Sequence, residues 1–186
     1  MSEAQTPRRR GALRSAVALL PLVLVAGYFG VRAWIRGHVD DLIQHAVGQP
    51  LPDFRLTDTD GKVWTRADLL GKRAVLHFFR SRCGSCDVEA PAMRDLEQRL
   101  RDDTVMLHVM TDQVLGFSPE ETAKTLAHKQ FTRPVLMADA AFVDAFHHVR
   151  WSQVTPVTYV ADPTGTITYG LRGMQTVASV TAACAC

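Results

Sequence analysis

The chain reads as an α/β domain carried behind a membrane-spanning helix. Three observations lead there. The apolar run Ala74-Val75-Leu76-His77-Phe78-Phe79, short, β-branched and aromatic, has the pattern of a buried strand. Two cysteines, Cys83 and Cys86, follow it, and beyond them Val88, Ala92, Met93, Leu96 and Leu100 recur at helical spacing. A dithiol therefore lies where a strand ends and a helix begins. Third, Arg8, Arg9, Arg10 and Arg14 precede an apolar run from Ala16 to Val31, which Ala33, Trp34 and Ile35 extend past Arg32. Basic residues ahead of such a run direct the N-terminus to the cytoplasm and the rest of the chain across the membrane.

In chain order, residues 1–14 form a basic cytoplasmic tail, 15–36 the transmembrane anchor, 37–49 a short helical stalk and 50–186 the domain. A cleaved signal peptide is the alternative to an anchor. No A-x-A cleavage site follows the run, and Trp34 suits a membrane interface. Pro50 and Pro52 bias their predecessors toward extended backbone. Asp53 to Asp58 alternates as a strand, Asp60-Gly61 turns, and Val63-Trp64 pairs back. Arg66 to Leu70 is a helical turn closed by Gly71. After the helix that follows the cysteines, Val105 to Met110 is a second buried strand. Ser118-Pro119-Glu120-Glu121 starts a helix, with Ser as cap, Pro at the first position and Glu at the third. Pro134 to Met137 is a short strand, and Asp139 caps a helix bearing Phe142, Val143 and Phe146. Val154 to Val160 and Thr166 to Leu171 form a hairpin about the turn Asp162-Pro163-Thr164-Gly165. Met174 to Cys186 is a short terminal helix with a Cys-x-Cys tail.

The composition, 47% hydrophobic and 22% charged, is that of a globular protein with a sizeable core. The net charge of +2 conceals an asymmetry: six of the 21 Lys and Arg residues lie in the first 36 positions. The rest of the chain is slightly acidic, and nothing there suggests a nucleic-acid surface, so no nucleic-acid partner is expected. Four cysteines in two close pairs, Cys83/Cys86 and Cys184/Cys186, point to chemistry or metal rather than a disulfide scaffold.

Strand, C-x-x-C and helix together resemble the thioredoxin motif. The longer spacing C-x-x-C-x-x-E-x-P, here Cys83, Cys86, Glu89 and Pro91, resembles the TlpA/ResA branch of membrane-anchored thioredoxin-like thiol-disulfide oxidoreductases, within the redoxin or AhpC/TSA-like superfamily. The resemblance covers roughly residues 49–171. It implies a thioredoxin fold, with a central mixed sheet flanked by helices, an N-terminal hairpin extension and an inserted strand and helix. It also implies a periplasmic catalytic domain that reduces disulfides of partner proteins, as relatives do in cytochrome c maturation, with electrons from a membrane donor. No cofactor is expected beyond a redox-active Cys83–Cys86 disulfide, and no metal. Two departures stand out: Arg82 replaces the usual tryptophan before the first cysteine, and Gly84-Ser85 lacks the usual proline.

Cys83, at the helix start, is the expected exposed nucleophile, because unpaired N–H groups and the macrodipole there favour a thiolate. Cys86, one turn on and more buried, resolves the mixed disulfide. Arg80 and Arg82 add nearby positive charge unless they are simply solvated, and Arg82 is placed on the substrate side. Pro156 must sit at the start of its strand. In the family the equivalent Thr155–Pro156 bond is cis and lies against the dithiol, leaving the Thr155 backbone to pair with substrate. Glu89 falls on the helical face of Cys86. A glutamate there takes part in dithiol protonation in the reductase branch; otherwise it is a solvated helix charge. His77 lies on the strand beneath, where thioredoxin has a buried acid that shuttles the resolving thiol's proton. It is either a proton relay or a satisfied core histidine. Cys184 and Cys186 could relay electrons, bind soft Cu(I) or be a frayed tail. A helix running back from the active-site end places them at the wrong end for Cys83. The alternatives in function are a copper-binding chaperone using either cysteine pair and a thiol peroxidase. The second lacks a P-x-x-x-T-x-x-C motif, although Pro52-Asp53-Phe54 occurs in both families.

Overall fold

The computed structural model describes residues 8–147 and 154–186. Helix α1 (Arg8–His45) is followed by an antiparallel hairpin, β1 (Arg55–Thr57) and β2 (Val63–Thr65), and a 3-10 turn at Arg66–Asp68. Next are β3 (Arg73–Phe79), α2 (Gly84–Arg99), β4 (Thr104–Met110) and a one-turn helix α3 (Asp112–Leu115). Then come α4 (Pro119–Lys129), β5 (Val135–Met137), α5 (Ala140–Asp144), β6 (Val157–Ala161), β7 (Ile167–Arg172) and α6 (Val177–Cys184). Contacts divide the chain into two units, 1–38 and 39–186.

In the first unit, Leu20, Leu22, Leu24, Phe29 and Trp34 are all more than half exposed. The helical stretch from Leu19 contains an 18-residue window of mean hydropathy 1.4 and is long and apolar enough to cross a membrane. The helix begins at Arg8, so the described part of the basic tail is helical, and residues 1–7 lie outside the described residues.

The stalk expected at 37–49 is helical to His45, as the end of α1, with a turn after it, but from Val39 onward it belongs to the second unit. Val39, Ile43 and Ala46 recur at helical spacing and are buried in the main core. The expectation of a separate spacer misread an amphipathic segment whose apolar face has a partner. Glycine at 170 on β7 permits the contact: a Cβ there would lie 2.7 Å from Ile43 Cγ2. Gln44 Nε2 also donates to the Gly170 carbonyl at 2.9 Å.

The main sheet has the order β5-β4-β3-β6-β7. β3, β4 and β5 run parallel, while β6 and β7 are antiparallel to their neighbours. The period-two alternation of β3 sends its side chains to opposite faces. Ala74, Leu76 and Phe78 join the core that contains Leu107, Val109, Phe142, Phe146 and Tyr159. Val75 packs with Met93, Leu96, Met106 and Val180 under α2 and α6. Phe79, at the C-terminal end of the strand, packs against Cys83 and Cys86. His77 is therefore directed to the α2 side.

The capping signals act as expected. Ser118 accepts from the Glu121 amide and Asp139 from the Phe142 amide. The terminal segment differs from expectation. Cys184 is buried beside Leu96, Leu100 and Val75, Arg101 donates to the Ala185 carbonyl, and Cys184 and Cys186 form a disulfide. The tail is packed rather than frayed. It shares a cluster with Leu96 of α2 and with Leu100 just beyond that helix.

Candidate active site

The site is built where β3 hands over to α2. Ser81 is fully buried, and its amide and hydroxyl both donate to the Asp112 carboxylate of α3. Thr122 of α4 donates to the same carboxylate, and Ser81 Oγ lies 2.6 Å from Thr125 Oγ1. This network holds the loop from behind. Arg82 then takes a left-handed backbone, φ 52°, a region that costs a residue with a Cβ energy and persists only where surroundings enforce it. Its exposed side chain pairs with Glu121 and lies over Phe117. Arg80 wraps back to donate to the carbonyls of Ser81 and Arg82. Both arginines thus have partners within the loop and α4, so neither is merely solvated.

Cys83 caps α2. Its sulfur accepts from the Cys86 amide at 3.2 Å and is disulfide-bonded to Cys86. Ser85 Oγ lies 3.5 Å away, and the Thr155 hydroxyl donates toward the sulfur at 3.5 Å. The Thr155 carbonyl is 3.8 Å from it. The Thr155–Pro156 bond is cis, and Pro156 ends where β6 begins. The expected exposed Cys83 is 5% accessible and Cys86 1%. The order of burial agrees with expectation, but in the disulfide only a sliver of Cys83 meets solvent. α2 continues through Pro91 to Arg99.

Glu89 is buried, not solvated. Gln175 donates its amide to Glu89 Oε1 at 2.6 Å, and His77 Nε2 lies 3.1 Å from Oε2. His77 continues the chain: its Nδ1 is 2.9 Å from Nδ1 of His108 on β4. His108 Nε2 lies 2.7 Å from Glu97 Oε1. Glu97, two turns after Glu89 on α2, accepts from the Thr132 amide and hydroxyl. All four ionisable residues are buried, and the Phe131 ring stacks on His108 at 3.7 Å. Burial pushes His108 down to about 4 against the opposing pull of Glu97. Burial raises Glu97, but hydrogen bonds from His108 and Thr132 outweigh it, leaving the carboxyl below its ordinary range.

His77 and Glu89 were visible as candidates in the sequence; Asp112, Glu97 and His108 were not. His108 sits in β4 in register with His77, and two strands of the form x-Leu-His-x with the histidines paired across a parallel ladder would have been the one usable signal. Lys129 was also missed. It is fully buried, and its ammonium reaches Asp87, beside Cys86, at 2.7 Å.

Comparison with known proteins agrees with this geometry. The AhpC/TSA family matches residues 47–170. The thioredoxin-like protein YneN of Bacillus subtilis is 26% identical over 156 residues, covering 83% of this chain and 88% of its own. The thiol-disulfide oxidoreductase ResA of Bacillus thuringiensis is 23% identical over 158 residues, covering 83% and 86%. The crystal structure of the exposed lipoprotein thioredoxin Etrx1 of Streptococcus pneumoniae superposes with a TM-score of 0.61 at 23% identity, over 70% of this chain and 96% of that one. That likeness shows the fold, a thioredoxin fold with its dithiol at the head of α2. The chain belongs to the AhpC/TSA family, and within it is a thioredoxin-like thiol-disulfide oxidoreductase.

Proposed function

We propose that the chain is anchored by residues 15–36 with its catalytic domain on the extracytoplasmic side, and reduces disulfides of partner proteins with electrons from a membrane donor. The surroundings of Cys83 Sγ support this reading. Three hydrogen-bond donors, the Cys86 amide and the hydroxyls of Ser85 and Thr155, surround the sulfur of Cys83, the less buried of the two active-site cysteines. Such donors stabilise a thiolate, and the thiolate is the attacking species. Cys83 attacks a substrate disulfide and forms a mixed disulfide; Cys86 then attacks Cys83 and expels the second substrate sulfur. The Thr155 carbonyl beside Cys83 and the exposed Arg82 are the groups that a bound substrate chain meets. The arginine-first order of the anchor supports the orientation, and the C-x-x-C-x-x-E-x-P spacing shared with the TlpA/ResA branch is the ground for proposing reduction as the direction.

The test uses full-length reduced protein in detergent with insulin as the disulfide substrate. Cys83→Ala abolishes exchange, whereas Cys86→Ala accumulates a mixed disulfide that reducing agent dissolves. Full turnover by Cys83→Ala would end this reading. The direction follows from the Cys83–Cys86 potential: a value near that of thioredoxin, about −270 mV, marks a reductant, and one near about −120 mV an oxidant.

A further inference from the structure

The chain Glu89–His77–His108–Glu97 contains three side-chain contacts within hydrogen-bond distance, and each needs one proton. Glu97 accepts from the Thr132 amide and hydroxyl and is ionised, so His108 Nε2 must carry the proton of their 2.7 Å contact. His108 resists a second proton because it is buried. Its Nδ1 is therefore a lone pair, and it faces His77 Nδ1 at 2.9 Å. Only a proton on His77 Nδ1 satisfies that contact. The remaining contact, His77 Nε2 with Glu89 Oε2, then needs one further proton, held either by the carboxyl or by the imidazole.

Without that third proton the chain is frustrated. His77 has one proton for two demands, and wherever it sits, a lone pair is left facing a lone pair or a carboxylate. Burial makes such an unmade bond costly. The deprotonated pair is accordingly a stronger base than an isolated Glu89–His77 pair would be.

We propose that His108 and Glu97 belong to the redox site as positioning residues: they lock His77 in the tautomer that makes the Glu89–His77 pair the base for Cys86. This deepens the oxidoreductase reading and rests on it. Glu89 lies one turn after Cys86 on the buried face of α2. In the resolving step the Cys86 S–H bond breaks and its proton passes to the Glu89–His77 pair. The electron pair left on Cys86 forms the Sγ–Sγ bond to Cys83, and the Cys83–substrate bond breaks with its electrons on the departing thiolate. The protein dithiol loses two electrons, the substrate disulfide gains two, and solvent protonates the substrate thiolates. Among the described residues the ionisable groups in contact with His77 are Glu89 of α2 and His108 of β4, with Cys86 one turn before Glu89 on the same helix, and the loop before α6 contributes the Gln175 amide to Glu89. Those facing His108 are His77 and Glu97, and Arg133 donates to the Glu97 backbone carbonyl.

Two histidine variants and one spectrum test this. Reduced full-length protein is mixed with the aromatic disulfide 5,5′-dithiobis(2-nitrobenzoate) in a stopped-flow instrument. The first coloured thiolate reports attack by Cys83 and the second reports resolution by Cys86, each followed against pH. His108→Leu removes the acceptor for His77 Nδ1–H, so the midpoint of the second phase moves down by about one pH unit, a tenfold loss of proton affinity. His108→Gln offers an amide oxygen to His77 and an amide N–H to Glu97, and restores the wild-type midpoint. An unchanged midpoint in His108→Leu, or an equal shift in both variants, overturns the proposal. Should the leucine variant not fold, long-range ¹H–¹⁵N spectra of the wild-type imidazoles decide: a proton on His108 Nε2 and on His77 Nδ1 is expected, and one on His108 Nδ1 overturns it. Failure of the wild-type protein to release any second thiolate would instead count against the oxidoreductase reading.

Discussion

Glu89→Gln separates the chemical role of this carboxylate from its structural one. Glutamine keeps the shape. Its Oε1 can accept the Gln175 amide as Glu89 Oε1 does at 2.6 Å, and its Nε2 can donate to His77 Nε2 where the 3.1 Å contact now is. That requires His77 to carry its proton on Nδ1, the tautomer that His108 already demands. No buried donor loses its partner, so the stability cost is the difference between a charge-assisted and a neutral hydrogen bond, about 1 kcal/mol. The base, however, is gone. General acid–base catalysis is worth about 10²- to 10⁴-fold, so resolution by Cys86 slows by about a hundredfold. Glu89→Ala makes the contrast. It leaves the Gln175 amide and a His77 nitrogen unpaired in a buried site, at about 1–3 kcal/mol for each orphaned group, so it loses stability as well as rate. Denaturant unfolding gives the stability difference, and single-turnover exchange against pH gives the rate. A glutamine variant that resolves its mixed disulfide at the wild-type rate throughout the pH range would refute the reasoning, because Glu89 would then be a structural acceptor only.

Asp112→Ala removes the acceptor of the Ser81 amide, the Ser81 hydroxyl and the Thr122 hydroxyl. Hydrogen bonds to a charged group contribute about 1.5–3 kcal/mol each, so unfolding free energy falls by about 3 kcal/mol or more and proteolysis near residues 80–83 accelerates. Unchanged unfolding would show that Asp112 does not hold the loop. The pH dependence of stability follows from His108. Its folded value of about 4 lies below the ordinary histidine value of 6.5, so below about 6.5 the unfolded chain takes up a proton that the native chain refuses. Its contribution is full above pH 6.5 and is lost progressively toward pH 4, by about 3 kcal/mol in all. Thermal unfolding of wild type and His108→Gln across that window checks this: the glutamine variant shows the smaller decline, and parallel curves would contradict it.

The AhpC/TSA assignment and the redox role rest on features legible along the chain, because each is local. The strand pattern of Ala74–Phe79, the Cys83/Cys86 spacing and the helical recurrence of Val88 to Leu100 need only neighbouring residues to be read. The caps at Ser118 and Asp139 are local too, since a cap side chain bonds an amide three residues away. The cis bond before Pro156 was reached through family resemblance, with a strand-start proline as its only local trace. What the tertiary structure alone decided is the pairing of buried polar groups. A buried carboxylate or imidazole must find a partner, but its partner can lie anywhere in the chain: His77 finds His108 31 residues away, Glu97 finds Thr132, and Ser81 finds Asp112. The same holds for apolar faces. Val39 and Ile43 read as a stalk until the fold places both in the main core, Ile43 against Gly170, over 120 residues later. Sequence periodicity shows that a face is apolar; only the fold shows what covers it, because burial is a property of two surfaces and the chain encodes them far apart.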